Sequence, residues 1–331
     1  MSLRKPLLVL SALFFTVLML LPTISAVHAQ DSNQQGGGSA LYLSPTRTEL
    51  VMQPGEQKVF SVFLKNITPN PLTIKVSLND FNSDGISGTP QIIVDQTQPP
   101  TQNSLRSMLT DMNDLDLMPG ETKEVKQTIS MPVGASPGAY FGALRYTSIP
   151  RGSEVRNEQR QVALTASVAH LVFVDVPGDI NQQIEITSAG VKRDKQGGTF
   201  FIRSPNTAVV AIKNMGNGFS RPFGRVTVND SLGKEVYGYE INNTDPKGII
   251  LANSSRSFSD PIKNIRRPGR YSLIVSVAYG NGGEVVTHRS TFWYIPTWLL
   301  LIVVILVVVL AGLAYILYRK KVFRSYKKKR A

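Results

Sequence analysis

Asp80-Phe81-Asn82-Ser83-Asp84-Gly85 is the stretch whose residue types come nearest to site chemistry. Carboxylate and amide oxygens at alternate positions, with a glycine for the sharp turn, match the front half of a D-x-N-x-D-G calcium loop. Asp80, Asn82 and Asp84 are therefore the candidate Ca²⁺ ligands. The twelfth position, however, is Gln91 where such a loop needs a bidentate Glu, and the segment leaves a strand instead of a helix. Asn, Asp, Ser and Gly also build the commonest turn after a strand, so no metal or other cofactor is assigned.

Catalysis has few residues to draw on. Beyond the N-terminal leader two histidines remain, His170 and His288, and the chain has no cysteine. A nucleophilic mechanism would need Ser or Thr beside one of these histidines, and no G-x-S-x-G elbow occurs. His170 keeps step with Val162, Leu164, Val168 and Val172, as a packed core histidine does. Asp111, Asp114 and Asp116 supply acid pairs, but glycosidase chemistry requires two carboxyls facing across a cleft, and acids at a polar helix end are ordinarily solvated. The chain is expected not to be an enzyme, with no catalytic and no cofactor-binding residue. For binding, the loop 150–161 carries Arg151, Arg156 and Arg160 against Glu154 and Glu158. Loops between strands are where sandwiches place recognition; a solvated hairpin of mixed charge is the plainer alternative. Exposed edge strands offer a second mode, by accepting a partner's strand.

The elements that must position these residues are framed by two apolar runs. Residues 298–317, WLLLIVVILVVVLAGLAYIL, hold no charge. A helix of that length is roughly 30 Å long, the thickness of a bilayer's hydrocarbon core. Trp293, Tyr294 and Trp298 stand before it and Tyr315 and Tyr318 at its end, as an interfacial aromatic belt does. Eight basic residues follow with no acid among them, and short basic flanks stay in the cytoplasm. The expected span is 297–318, with a basic cytoplasmic tail at 319–331 and everything earlier outside. At the other end Arg4 and Lys5 precede an apolar run, then Pro22 and a small-residue finish at Ala29. This predicts a cleaved secretory signal peptide at 1–29.

Charge changes meaning once the chain is partitioned this way. The formal +13 includes two basic residues in the signal and eight in the tail, which leaves +3 for the body. The basic pI reports topology, so no nucleic-acid partner is expected. An exported body of this size without cysteine can bury its own cores and suits a bacterial surface. The sequons at Asn66, Asn229, Asn242 and Asn253 are then incidental.

After a flexible lead-in at 30–39 the body reads as strands. Leu72, Ile74, Val76 and Leu78 alternate with polar residues, and Tyr271, Leu273, Val275, Val277 and Tyr279 do so over five positions. The run 162–174 is the most apolar and is expected to be a central strand. Between Leu105, Met108, Leu109 and Met112 the spacing is i, i+3, i+4, i+7, which predicts a short amphipathic helix within 103–115. The expected fold is all-β: two tandem immunoglobulin-like β-sandwich domains, 40–176 and 182–293, plus the signal peptide and one C-terminal transmembrane helix. Pro54-Gly55-Glu56 is echoed by Pro119-Gly120-Glu121, and Pro137-Gly138-Ala139-Tyr140 by Pro268-Gly269-Arg270-Tyr271. Turn physics alone and a shared sandwich plan both account for the echo.

The order of these pieces carries a resemblance. A Pro-Gly-Glu strand is followed by Asp84-Gly85-Ile86, then Leu117-Met118-Pro119-Gly120-Glu121, Met131-Pro132 and Gly138-Ala139-Tyr140-Phe141-Gly142-Ala143-Leu144. A second β unit, a span and a basic tail complete the layout, which resembles the WxL-interacting surface proteins of Gram-positive bacteria. The resemblance implies a first domain associated with peptidoglycan and a second with host or partner-protein binding; the opening, 41–47, departs from the family's usual start. The expected function is that of a non-catalytic, membrane-anchored surface protein, N-terminus outside, binding cell-wall polymer or another surface protein. The alternative is a membrane-tethered assembly factor or chaperone for exported surface subunits.

Overall fold

A computed structural model describes residues 40–150, 166–280 and 283–328. The expected signal peptide, the lead-in and the arginines Arg151, Arg156 and Arg160 lie outside the described residues. Alternation becomes strand wherever one face meets a core. The first set is β1 (Leu41–Ser44), β2 (Arg47–Val51), β3 (Gln57–Asn66), β4 (Leu72–Asn79), β5 (Phe81–Ser83), β6 (Pro90–Ile92), β7 (Leu109–Thr110), β8 (Leu115–Leu117), β9 (Thr122–Ser130), β10 (Gly138–Pro150) and β11 (Ser167–Val176). They make a sheet ordered β1-β3-β9-β7 and another ordered β2-β11-β10-β4-β8, with β5-β6 a separate hairpin. Val62, Leu64, Ile74, Leu117, Ile129 and Leu144 fill the space between the two sheets.

The second set is β12 (Ile184–Arg193), β13 (Gln196–Gly198), β14 (Phe200–Phe201), β15 (Thr207–Asn214), β16 (Phe223–Asn229), β17 (Glu235–Ile241), β18 (Ser255–Pro261), β19 (Gly269–Tyr279) and β20 (Glu284–Tyr294). Its sheets run β13-β12-β15-β18 and β14-β20-β19-β16-β17. Ile186, Val210, Ile212, Val226, Leu273 and Val275 are packed between them. The two five-stranded sheets share a plan. In each a short outer strand, β2 or β14, lies parallel to its neighbour, β11 or β20, while every other pairing is antiparallel.

The sequence echoes coincide with repeated local devices. Gly55 and Gly120 take φ of 81° and 75°, which favours glycine. Glu56 accepts the Gln53 N–H at 2.7 Å and Glu121 accepts the Met118 N–H at 2.7 Å, so one turn is built twice. Tyr140 donates its hydroxyl to the Ser136 carbonyl at 3.1 Å, and Tyr271 donates to Arg267 at 2.6 Å. Both are tyrosine corners, four residues back, at the start of β10 and β19.

Two expectations are corrected. No helix forms in 103–115. Ser104 and Met108 donate backbone N–H groups only to Thr101 and Leu105, three residues back, and the chain then enters β7 and, after Asp111 at φ 66°, β8. Leu105, Met108 and Leu109 are buried as the helical spacing suggested, but edge pairing with β9 and β4 satisfies the backbone. The apolar run ending in β11 is not central either. The centre belongs to the longer β10, and β11 lies one strand in from β2.

The helix α1 (Thr297–Lys328) continues beyond the expected span through the basic stretch. From Thr297 to Tyr318 it is long and apolar enough to cross a membrane, and none of those residues is buried against the rest of the chain.

Candidate functional site

In β10 the even-numbered Leu144 and Tyr146 face the first core, as do Val172 and Val174 of β11. The odd-numbered Ala139, Phe141, Ala143 and Phe173 are just as buried but pack elsewhere, with Phe81, Phe219, Ile249 and Leu251. The last three lie on the connections from β15 to β16 and from β17 to β18, so the outer face of one sheet is covered by loops of the other sheet pair. Phe81, Phe141, Phe173 and Phe219 stack in tilted and edge-on pairs with ring centres 5.0 to 6.1 Å apart. Apolarity on both faces of these strands therefore marks a junction.

Polar groups tie the rim of this junction. Arg221 donates to Glu49 at 2.7 Å and lies 3.7 Å from Asp175, while Arg47 pairs with the same Glu49. Burial, with the Glu49 charge, pushes the Asp175 carboxyl above its ordinary range, and Arg221 opposes the shift. Ala139 N–H donates to Asn217 at 3.0 Å and Ser257 N–H to Ile86 at 2.5 Å. Asn217 and Ser83 donate to Pro137 and Ser255 at 3.3 Å each.

Two cavities open at the junction, of about 140 Å³ beside Asn214, Phe219 and Arg221, and about 100 Å³ beside Arg47, Phe173 and Arg256. Both fall below the ~300 Å³ at which small-molecule sites begin. A shallower hollow of about 420 Å³ is lined by Asn82, Ser83, Asn253 and Ser255, with no ionisable side chain.

The calcium candidates are drawn apart. Asp80 is buried and accepts from the Thr101 N–H at 3.0 Å and the Ser104 hydroxyl at 2.6 Å, with Arg106 at 3.2 Å. Asp84 accepts the Ser87 hydroxyl and the Ile86, Ser87 and Gly88 N–H groups, and these bonds, the hydroxyl's first, hold its carboxyl well below the usual range. Asn82 lies on β5 between them. Among the described residues no group of three His, Cys, Asp or Glu side chains could hold a metal. Of the acid trio, Asp116 accepts from Thr73 at 2.8 Å and Asp114 from the Val76 N–H at 3.0 Å, so both brace β4. His170 is a core residue, stacked on Phe60 at 5.6 Å and bonded to the Pro45 carbonyl at 2.8 Å.

The strand edges remain. Of the eight terminal strands of the four larger sheets, β7, β8, β13 and β14 have two or three residues, a standard protection against pairing. β1 and β2 have four and five. β18 has seven, but Ile86 already engages it and Pro261 closes it. β17 has seven, EVYGYEI, with no Lys or Pro, and a register shift only where it leaves β16. Tyr237 and Tyr239 lie on it with ring centres 6.3 Å apart. Among the described residues it is the long edge that neither Pro nor a bonded neighbouring segment closes, its charges being Glu235 and Glu240 near its two ends, and period-two patterning gave no sign of it because an edge is a property of the assembled sheet.

No protein-family model and no curated sequence matches the chain. Solved structures do. The YadV chaperone aligns with 76% of this chain and 100% of its own at 12% identity and a TM-score of 0.34. The Pseudomonas aeruginosa CupB2 chaperone aligns with 74% and 97% at 12% identity and 0.33. A chain of the Salmonella enterica SafA pilin–SafB chaperone complex aligns with 77% of this chain and 96% of its own at 10% identity and a TM-score of 0.34. No role is carried over from them.

Proposed function

We propose that the chain is a membrane-anchored, non-catalytic binding protein that recognises a second surface protein by accepting a strand along β17. In this reading residues 40–176 and 182–293 are two immunoglobulin-like domains outside the membrane, α1 is the span, and the basic residues after Tyr318 lie inside, following the positive-inside rule. The observation that carries the proposal is the β17 edge: seven residues paired with β16 on one side only, with no Lys or Pro and a register shift confined to the turn end. The small junction cavities favour a polypeptide over a small ligand. The reading agrees with what the resemblance to WxL-interacting surface proteins implies for the second domain. An assembly factor for exported subunits would use the same edge on a different client.

The test is hydrogen exchange on the full chain in lipid nanodiscs, with fractionated surface proteins or purified peptidoglycan added. The expected result is retention of a folded protein partner together with slowed exchange of the β17 amides. Retention of peptidoglycan with β17 unchanged overturns the strand-acceptance mode. Protection of β17 by unfolded clients alone moves the function to the assembly factor.

A further inference from the structure

The end of the second sheet pair from which α1 departs differs from the rest of the surface. Only Ile295 and Pro296 separate β20 from α1, and three residues of extended chain reach about 10 Å. Whatever lies at this end is therefore at the level of lipid headgroups if α1 is inserted. β14 is fixed there: Phe200 and Phe201 pair with Trp293 and Tyr294, and Ile295 N–H donates to Phe201 at 2.8 Å. The turn between β16 and β17 emerges at the same end, since Asn229 pairs with Ser272 of β19, two residues from the Arg270 that pairs with Trp293. The 262–268 connection enters β19 there as well.

The side chains these segments present are unusual for a soluble surface. Leu232, at the tip of the β16–β17 turn, is 91% exposed, Phe200 70% and Ile202 56%. Around them segments 193–203, 230–234 and 262–270 carry eight Lys and Arg, among them Lys195, Lys234, Arg266 and Arg267, against Asp194 and Asp230. Asp194 is already within 3.5 Å of Arg193, and Asp230 accepts the Leu232 and Lys234 N–H groups. A net +6 thus sits on one end of a body whose total is +3. An open hollow of about 650 Å³ lies between Lys195, Phe200, Ile202 and Arg203.

We infer that this end is a docking surface for anionic lipid headgroups, with Phe200, Ile202 and Leu232 entering the bilayer interface and the surrounding cations pairing with phosphates. Apolar tips ringed by Lys and Arg are the chemistry that binds such an interface. The bilayer is favoured over a protein occupant because α1 begins within reach of the same patch, so the lipid surface is already opposite it. The inference rests on the reading of α1 as a span and goes beyond it: the body would be laid against the membrane and not held off by a free stalk.

The chain has no cysteine, so single Cys labels are unambiguous. The full chain carrying Leu232→Cys, Phe200→Cys or, at the far end of the first sheet pair, Ile67→Cys is labelled with an environment-sensitive fluorophore. It is then reconstituted in vesicles of phosphatidylcholine with or without phosphatidylglycerol. Expected is quenching by headgroup-borne quencher at 232 and 200 but not at 67, at least severalfold stronger with phosphatidylglycerol. A combined Lys195→Glu, Lys234→Glu, Arg266→Glu and Arg267→Glu variant should abolish it. Labels at 232 and 200 as wet as that at 67, in chain that resists alkaline extraction, overturn the docking surface while leaving the span intact. Chain that washes off with wet labels overturns both readings. Equal quenching without phosphatidylglycerol overturns the recognition of anionic lipid.

Discussion

His170 shows how one buried side chain sets a pH response. The Pro45 carbonyl can only accept, so Nδ1 carries the proton and Nε2 is left without a partner inside the core. Protonating Nε2 would bury a charge, and burial accordingly holds the imidazole below its ordinary 6.5, with the Pro45 bond opposing. The unfolded chain then binds a proton at a pH where the folded chain does not. Its contribution is complete above 6.5 and is lost as pH falls through the depressed folded value. The melting temperature is expected to decline from pH 7 toward pH 5, and His170→Gln should flatten that segment of the curve. The loss tied to Glu56, Asp84 and Asp95, whose turn bonds lower them from carboxylate values, belongs below about pH 4.5 and should persist. Scanning calorimetry across both windows checks this. Another residue-scale match was not read from sequence. Asn66 and Asn214 end β3 and β15, both fully buried, each accepting the N–H two residues on and donating to the carbonyl four residues on. The signal was there as Lys65-Asn66 and Lys213-Asn214, and it explains why the Asn66 sequon is shut against modification in the fold.

Among elements, the paired tyrosine corners carry a comparison that one molecule can test on itself. Removing either hydroxyl deletes one side chain–backbone bond, worth about 0.5–1.5 kcal/mol. The Tyr271 bond is shorter and more buried than that of Tyr140, at 2.6 Å against 3.1 Å. Tyr271→Phe is therefore expected to cost more than Tyr140→Phe, about 1.5 kcal/mol against about 0.5 kcal/mol. Urea unfolding followed through probes in each sheet pair measures both, and a reversed order would count against the corner geometry. The 103–115 segment teaches the opposite lesson about local pattern. Its apolar residues are buried, yet their spacing fits a helix only by coincidence, because β9 and β4 offered the backbone better partners.

At the level of the molecule the aromatic junction decides how the two sheet pairs act together. Phe219 touches both Phe141 and Phe173, and its ring holds the Arg221 guanidinium 5.8 Å above it. Truncating a buried Phe costs roughly 3–5 kcal/mol, but this one belongs to neither main core. Phe219→Ala is expected to loosen the junction while each sheet pair stays folded. The readouts are faster amide exchange in 177–183 and a broader small-angle scattering distance distribution, with strand-core exchange unchanged.

Much was legible in the residues themselves. Period-two alternation placed the strand faces of β4 and β19, the glycine-bearing turns marked their ends, and an uncharged run near the C-terminus marked the one long apolar helix among the described residues. These are local properties, fixed by backbone geometry and solvent preference within a few residues. What the assembled structure alone decided were relations across long separations. Phe141 meets Phe219, Asp80 closes on Ser104 and Arg106 in place of Asp84, and β17 becomes an edge with no strand beyond it among the described residues. Nothing in the alternation of a strand says what will cover its outer face. That depends on how far burying apolar surface at a distance outweighs leaving it wet, and such a balance exists only once the chain has packed.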